Sequence, residues 1–201
     1  MEAARFRVTS LASAKTPRGR ERRQLLLSAT VDLVSERGFH AVGIADIGAA
    51  ARVTGSAIYR HFKDKTELLV ALFDHVVDEL LVRASDVSSE IADPADALDA
   101  LVRHHIEFAI RQRALIAVYS QESHNLPEAD PSRLRRNQRT YVLLWSSALR
   151  RLRPELSDEQ AHTRVQVTFG LLNSVSNFPN RLDEEALASL LHTMATAALE
   201  S

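Results

Sequence analysis

From about residue 20 onward the apolar residues recur at intervals of three and four, and no segment alternates apolar and polar residues between hairpin turn signals. That period gathers apolar side chains on one face of a helix, whereas a half-buried strand needs a period of two. The chain is therefore expected to be all-α, with about nine helices. The first spans about Arg20 to Arg37, with Leu26, Ala29, Leu33 and Val34 on one stripe and Gly38 as a left-handed stop. Two short helices follow, at about Ile44–Ala51 and Gly55–His61. Asp64-Lys65-Thr66-Glu67 has the reciprocal spacing of a capping box and opens a long helix to about Val87. Asp93-Pro94 puts a cap before a proline at the first helical position and starts a helix through about Gln112, with a shorter one over Ala114 to Glu122. Asp130-Pro131 repeats the signal for a helix to about Arg153. Ser157 to Gln160 forms another capping box, leading a helix to about Asn177, and a last helix covers about Glu184 to Leu199.

Composition narrows the function classes. With 201 residues, 45% hydrophobic and 25% charged, the chain has the length for one to two packed domains and the balance of a soluble globule. Cysteine is absent, which excludes disulfides, thiolate metal sites and cysteine nucleophiles. No apolar run approaches the ~20 residues that span a bilayer, and Met1 to Arg23 has no hydrophobic stretch of signal-peptide type, so the expected location is cytoplasmic, with no membrane partner. The net charge of -1 conceals a split: residues 1–65 carry 12 basic against 6 acidic side chains, and residues 66–201 carry 13 against 20. A basic first third suggests a polyanionic partner for that part alone. Residues 1–19, with Arg5, Arg7, Lys15 and Arg18, read as a mobile basic arm.

The informative stretch is residues 43–62. A helix with Ile44, Ile47 and Ala51 inward is followed by a tight turn at Arg52-Val53, then a second helix capped by Thr54 and anchored by Ile58 and Phe62. This is the arrangement of a helix-turn-helix. The second helix begins with the small residues Gly55, Ser56 and Ala57, which allow close approach to a groove floor or a phosphate. Tyr59, Arg60, His61, Lys63 and Lys65 supply hydrogen-bond donors at and beyond its far end. Two short helices joined by a turn also occur as plain bundle corners, but turn spacing, cap, basic shoulder and basic arm all agree with DNA entry.

The run Gly38-Phe39, Asp46-Ile47, Val53-Thr54, Ile58-Tyr59, His61-Phe62, Lys65 and Leu68-Leu69 resembles the DNA-binding domain of the tetracycline-repressor (TetR) family of bacterial regulators. The match covers about residues 20–80, and the nine-helix outline extends it to the whole chain. The resemblance implies that the second short helix is the recognition helix and that Tyr59, His61 and Lys65 contact phosphates. Three positions depart from the family pattern. Val42-Gly43 stands where a threonine often starts the second helix, Arg52 where glycine usually precedes the turn valine, and Gly55-Ser56-Ala57 where Lys-Gly-Thr is common at the recognition tip. Direct readout is then thin, resting on Ser56, Ala57 and Arg60, with Arg18, Arg20, Arg22 and Arg23 compensating from the arm.

The resemblance also implies that residues 90–201 form an effector-binding and dimerisation domain whose last two helices pair with their symmetry mates. One recognition helix reads only a few base pairs, so a two-fold dimer on two half-sites is the physical expectation as well. Val165, Phe169 and Leu172, with Leu187, Leu191 and Met194 on the last helix, are the candidate dimer residues, although the same pattern suits ordinary core helices. Phe108, Tyr119, Tyr141 and Trp145, with His105, Gln121, Asn173 and Asn177 as polar groups, are the candidate lining of a ligand chamber. A mostly apolar chamber favours a hydrophobic effector such as a fatty acyl chain or an acyl-CoA thioester. The phosphates of the latter would need a basic mouth, for which Arg111 and Arg113, or Arg133, Arg135, Arg136 and Arg139, are candidates. His104 and His105 are adjacent and do not share a helix face, so no metal site and no cofactor are expected. No nucleophile with a base at motif spacing and no glycine-rich phosphate loop is present, so an enzyme is not expected. The expected function is a homodimeric repressor released from a palindromic operator by a small molecule, with the long helix from Asp64 as transmission rod. The competing reading is a helical adaptor acting through protein contacts.

Overall fold

The computed structural model describes residues 17–59, 61–122 and 131–201. The apolar period is realised as nine α-helices among these residues: α1 (Pro17–Arg37), α2 (Ile44–Ala50), α3 (Gly55–Ile58), α4 (Lys65–Glu90), α5 (Pro94–Arg111), α6 (Arg113–Glu122), α7 (Pro131–Leu152), α8 (Asp158–Asn173) and α9 (Glu184–Glu200). Short 3-10 turns lie at Phe39–Ala41 and Ser174–Ser176. No helix among the described residues is long and apolar enough to cross a membrane.

The chain divides into two compact units. The first holds residues up to Glu79 together with Val118–Leu134, and the second holds Leu80–Ala117 and Arg135–Ser201. In the first unit α1 packs on α2 and α2 on α3. Leu26, Leu27 and Val34 of α1, Ile47, Ile58, Phe62, and Leu68 and Leu72 of α4 are all buried. Each such side chain contributes about 1.5–3 kcal/mol by leaving water. Phe73 meets Tyr119 edge-on at 5.0 Å in the same unit. In the second unit α9 packs on α5 and α8, with Ala161 and Ala195 fully buried among Leu101, Val165, Leu172, Leu187 and Leu191.

Capping chemistry sets several of the boundaries. Asp93 Oδ1 accepts from the backbone N–H groups of Ala95 and Asp96, and Pro94 takes the first helical position. Ser157 and Gln160 complete their reciprocal box at 2.9 and 3.2 Å. The box before α4 is displaced by one residue: Asp64 Oδ1 accepts from Glu67 N–H, but the Glu67 carboxylate reaches back to Lys63 N–H. The cap expected at Asp130 lies outside the described residues.

Some boundaries differ from the sequence expectation. α1 begins at Pro17, so residues 17–19 are helical rather than part of an arm, because a proline at the first position is preorganised for a helix. The remainder of the expected arm, residues 1–16, lies outside the described residues. α8 stops at Asn173 instead of continuing to Asn177. There Ser174 and Ser176 hydrogen bond to the carbonyls of Leu171 and Asn173, and Arg113 takes the Val175 and Phe178 carbonyls. The helix from Asp64 is also not alone in spanning the two units, since α6 and α7 each contribute residues to both.

Candidate nucleic-acid interface and ligand core

The helix-turn-helix is built from two short elements and a turn of defined hydrogen bonding. α2 opens without a side-chain hydroxyl cap; instead Gly43 N–H donates to Asp46 Oδ2 at 2.8 Å. A Cβ at Gly43 would stand 3.2 Å from that oxygen, and without a hydroxyl at Gly43 only the Asp46 half of a reciprocal capping box is made. α2 closes in a Schellman turn, with Val53 N–H on Gly48 O at 2.8 Å and Arg52 N–H on Ala49 O at 3.2 Å. Arg52 takes the left-handed position with φ +54°. Placing a side chain there costs about 1 kcal/mol relative to glycine.

The second helix is shorter than its pattern predicts, ending at Ile58 instead of His61. His61 N–H and Phe62 N–H both bond to Ile58 O, which tightens the exit and buries Ile58 and Phe62 beneath it. Tyr59 is thereby turned outward and is 58% exposed. Thr54 and Ser56 are exposed at the other end, their hydroxyls 3.0 Å apart. Gly55 and Ala57 lie within α3 and Lys65 opens α4, and these three are placed by backbone alone. His61 is half-buried, and Arg60 lies outside the described residues. Arg18 and Arg20 fall within α1 by backbone, and Arg22 is exposed on it. Arg23 is not a free cation of an arm: its guanidinium lies 4.6 Å from the Phe62 ring centroid, and burial lowers its pKa. It anchors α1 to the motif.

In the second unit His105 sits at the centre of an aromatic core. Its ring stacks on Phe169 at 4.7 Å, and Phe169 stacks on Tyr141 at 5.3 Å with Trp145 edge-on at 4.8 Å. Phe108 meets His105 edge-on at 5.6 Å. His105 Nδ1 and Nε2 are each 3.1 Å from a partner, the Tyr141 hydroxyl and Asn173 Oδ1. With the amide oxygen facing the ring, Nε2 carries the proton and Nδ1 accepts from Tyr141. Burial lowers the His105 pKa to about 4 and pushes the Tyr141 hydroxyl upward, so both are neutral at pH 7. Among the described residues the buried Gln112 Oε1 has no hydrogen-bond partner, and the buried Trp145 Nε1 has none at good geometry, although the indole acts on the Tyr141 hydroxyl and opposes the rise of its pKa.

Two family models match the chain. Residues 26–72 match that of the bacterial regulatory proteins of the tetR family, and residues 92–178 match the tetracyclin repressor-like C-terminal domain. The chain belongs to the tetR family. Among its tetR relatives, the HTH-type transcriptional activator FasR of Mycolicibacterium smegmatis is 32% identical over 94 residues, 47% of this chain and 42% of that protein. The HTH-type transcriptional repressor KstR2 of Rhodococcus jostii is 28% identical over 105 residues, 52% of each. The chain thus spans about half the length of the curated relatives it matches. The crystal structure of AibR in complex with isovaleryl coenzyme A and operator DNA shares the fold, with TM-score 0.68 at 20% identity over 86% of this chain and 97% of that one.

Within this tetR framework several expected site residues take other places. Tyr119 belongs to the first unit, where its ring meets Phe73, whereas Phe108, Tyr141, Trp145 and Asn173 belong to the second. Asn177 is exposed, and its Oδ1 accepts from Ser176. The residues expected to line a chamber instead pack on one another. An open cleft of about 730 Å³ lies between α7 and the start of α8, where Leu143, Arg150 and His162 contribute to its walls, and none of the expected ligand residues lines it. The arginines proposed as a basic mouth are partly engaged: Arg111 pairs with Glu107 at 2.7 Å, Arg113 holds carbonyls, and Arg133 pairs with Asp78, while Arg135, Arg136 and Arg139 are exposed.

Four of the six expected dimer residues, Val165, Leu172, Leu187 and Leu191, are at most 5% exposed within the single chain. They are core, because α8 and α9 turn their most regular apolar stripe onto each other and α5. Phe169 belongs to the aromatic core, and Met194 alone of the six is exposed. The outer face carries Val167, Leu190 and Met194 at 60%, 48% and 46% exposure. Of this second, sparser stripe sequence reasoning took only Met194 as a dimer residue, because Gln166, Gly170, Ser189 and Thr193 interrupt the apolar pattern beside Val167 and Leu190. His105, expected among the polar groups of a chamber, is instead the hub of the packed aromatic core.

Proposed function

We propose that the chain is a homodimeric, ligand-responsive DNA-binding transcriptional regulator, acting as a repressor that leaves a palindromic operator when a hydrophobic effector binds. The observation that carries the reading is the outward face of the helix-turn-helix, where exposed Tyr59, Thr54 and Ser56 stand over buried Ile58 and Phe62. In this reading residues 20–80 are the reading head, Tyr59, His61 and Lys65 hold phosphates, and Ser56, Ala57 and Arg60 meet base edges. Residues 90–201 receive the effector and pair the subunits. The protein works in the cytoplasm, where the chromosome is, and as a binding protein rather than an enzyme.

In this reading the effector is received at the His105 core, whose side chains pack on one another here and must part to admit it. An apolar, aromatic environment with the unmet Gln112 Oε1 and the poorly aligned Trp145 Nε1–H suits a hydrophobic molecule bearing a hydroxyl or carbonyl that satisfies them. AibR, which shares the fold and is solved in complex with isovaleryl coenzyme A and operator DNA, supports an acyl-CoA as one such class. The exposed Arg135, Arg136 and Arg139 are then the side chains available to its phosphates. The outer stripe of Val167, Leu190 and Met194 is the subunit interface in place of the buried one. Effector binding shifts the spacing of the two heads, and a coupling of about 1–3 kcal/mol is sufficient for release.

The test is to select duplexes from a randomised pool with the purified protein, then titrate acyl-CoAs, free fatty acids and aromatic hydrophobes against the complex. Selection of a palindrome and release by one class support the reading. Equal, weak binding to selected and random duplexes contradicts it and favours the adaptor.

A further inference from the structure

We infer that Arg52 is a phosphate-contacting residue of the nucleic-acid interface, an inference that rests on the DNA-binding reading above. The Schellman turn after α2 demands a left-handed residue, and glycine fills such a position without strain. This chain places an arginine there, and no other non-glycine among the described residues takes a positive φ. Arg52 is exposed and makes no side-chain hydrogen bond or ion pair with any described residue. Arg113, Arg133 and Arg150 are by contrast anchored on carbonyls or carboxylates. A side chain that strains its own backbone and makes no hydrogen bond or ion pair with any described residue points to a function outside the fold.

Chemistry and position identify the contact. A guanidinium presents a rigid fork of donors that matches two phosphate oxygens. Arg52 precedes Thr54 by two residues and so stands on the turn that leads into the recognition helix, outside the helix itself. Base edges are read by residues carried into the groove, whereas a flanking turn meets the sugar-phosphate rim. The recognition helix brings no cation of its own, since Gly55-Ser56-Ala57-Ile58 is uncharged. Arg52 supplies a positive charge beside that tip and fixes register without reading sequence.

The test compares the wild type with Arg52→Gly and Arg52→Lys on duplexes that the wild type recovers from a randomised pool of about 40 base pairs, near four helical turns. Anisotropy titrations over a salt series are paired with thermal melts. Arg52→Gly is expected to melt about 2–4 °C higher, because strain is relieved. It is also expected to bind every duplex about tenfold more weakly near 0.1 M salt, with the slope of log affinity against log salt shallower by about one per reading head. Arg52→Lys keeps the wild-type slope. Unchanged affinity and slope in Arg52→Gly overturn this inference alone, as does a loss of binding accompanied by a lower melting temperature, which would act through the fold. A wild type that recovers no duplex and shows no salt slope overturns the DNA-binding reading and this inference with it.

Discussion

Tyr59 and His105 are opposite cases of what a residue's neighbours in sequence reveal. Tyr59 follows Ile58 by one position, so burial of the isoleucine turns the tyrosine outward, and its 58% exposure follows from the local pattern. Tyr59→Phe removes one exposed hydroxyl and is expected to weaken operator binding about three- to tenfold with no change in melting temperature, read by anisotropy and thermal melts. His105 takes its partners from 36 and 68 residues away, and no spacing rule connects it to Tyr141 and Asn173. Its sequence signature is that of any helix histidine. Burial holds His105 and His75 at about pKa 4, against 6.5 in the unfolded chain; at His75 the Arg23 charge lowers it further. The unfolded state therefore binds more protons between pH 6.5 and 4, and stability present above pH 6.5 is lost as the pH falls through that window. The loss from pH 7 to 5 is on the order of 2 kcal/mol for each histidine. Thermal melts are expected to show a falling Tm across this window, flattened in a His75→Gln, His105→Gln double variant; a pH-independent Tm contradicts the buried neutral assignment.

Helices were legible where their ends carry their own chemistry. The Asp93-Pro94 and Ser157-Gln160 signals mark α5 and α8 because a cap is a contact within four residues. Asp93→Ala removes the carboxylate that accepts from two backbone N–H groups and is expected to cost about 1 kcal/mol, seen as a Tm lowered by about 2–4 °C with operator affinity unchanged. The C-terminal end of α8 was misread because Arg113, from another helix, captures the Val175 and Phe178 carbonyls. The shortened α3 has a local cause, the double use of the Ile58 carbonyl, but an apolar period does not register which hydrogen-bonding pattern closes a turn. Choosing between the two apolar faces of α8 and α9 needed the tertiary partner: the regular stripe went to the core and the interrupted one to the surface.

For the molecule as a whole, the near-neutral charge is the sum of a basic first third and an acidic remainder, and the proposed division of labour follows that split. Pairing is expected through the outer stripe, so Val167→Glu with Leu190→Glu should leave a folded monomer in light scattering, since both positions are about half exposed or more in the single chain. Loss of the two-fold mate should lower operator affinity by at least 100-fold, while a dimer that persists assigns the interface elsewhere. The central claim is that the helix-turn-helix face binds duplex DNA by sequence. It is tested most directly by the salt dependence of binding to a selected duplex and to a random one, for the wild type and a Tyr59→Phe, Lys65→Ala variant. The account predicts a steep linear fall of log affinity with log salt, tighter binding of the selected duplex, and a shallower slope in the variant. Equal affinities for both duplexes, or a variant identical to the wild type, would contradict it.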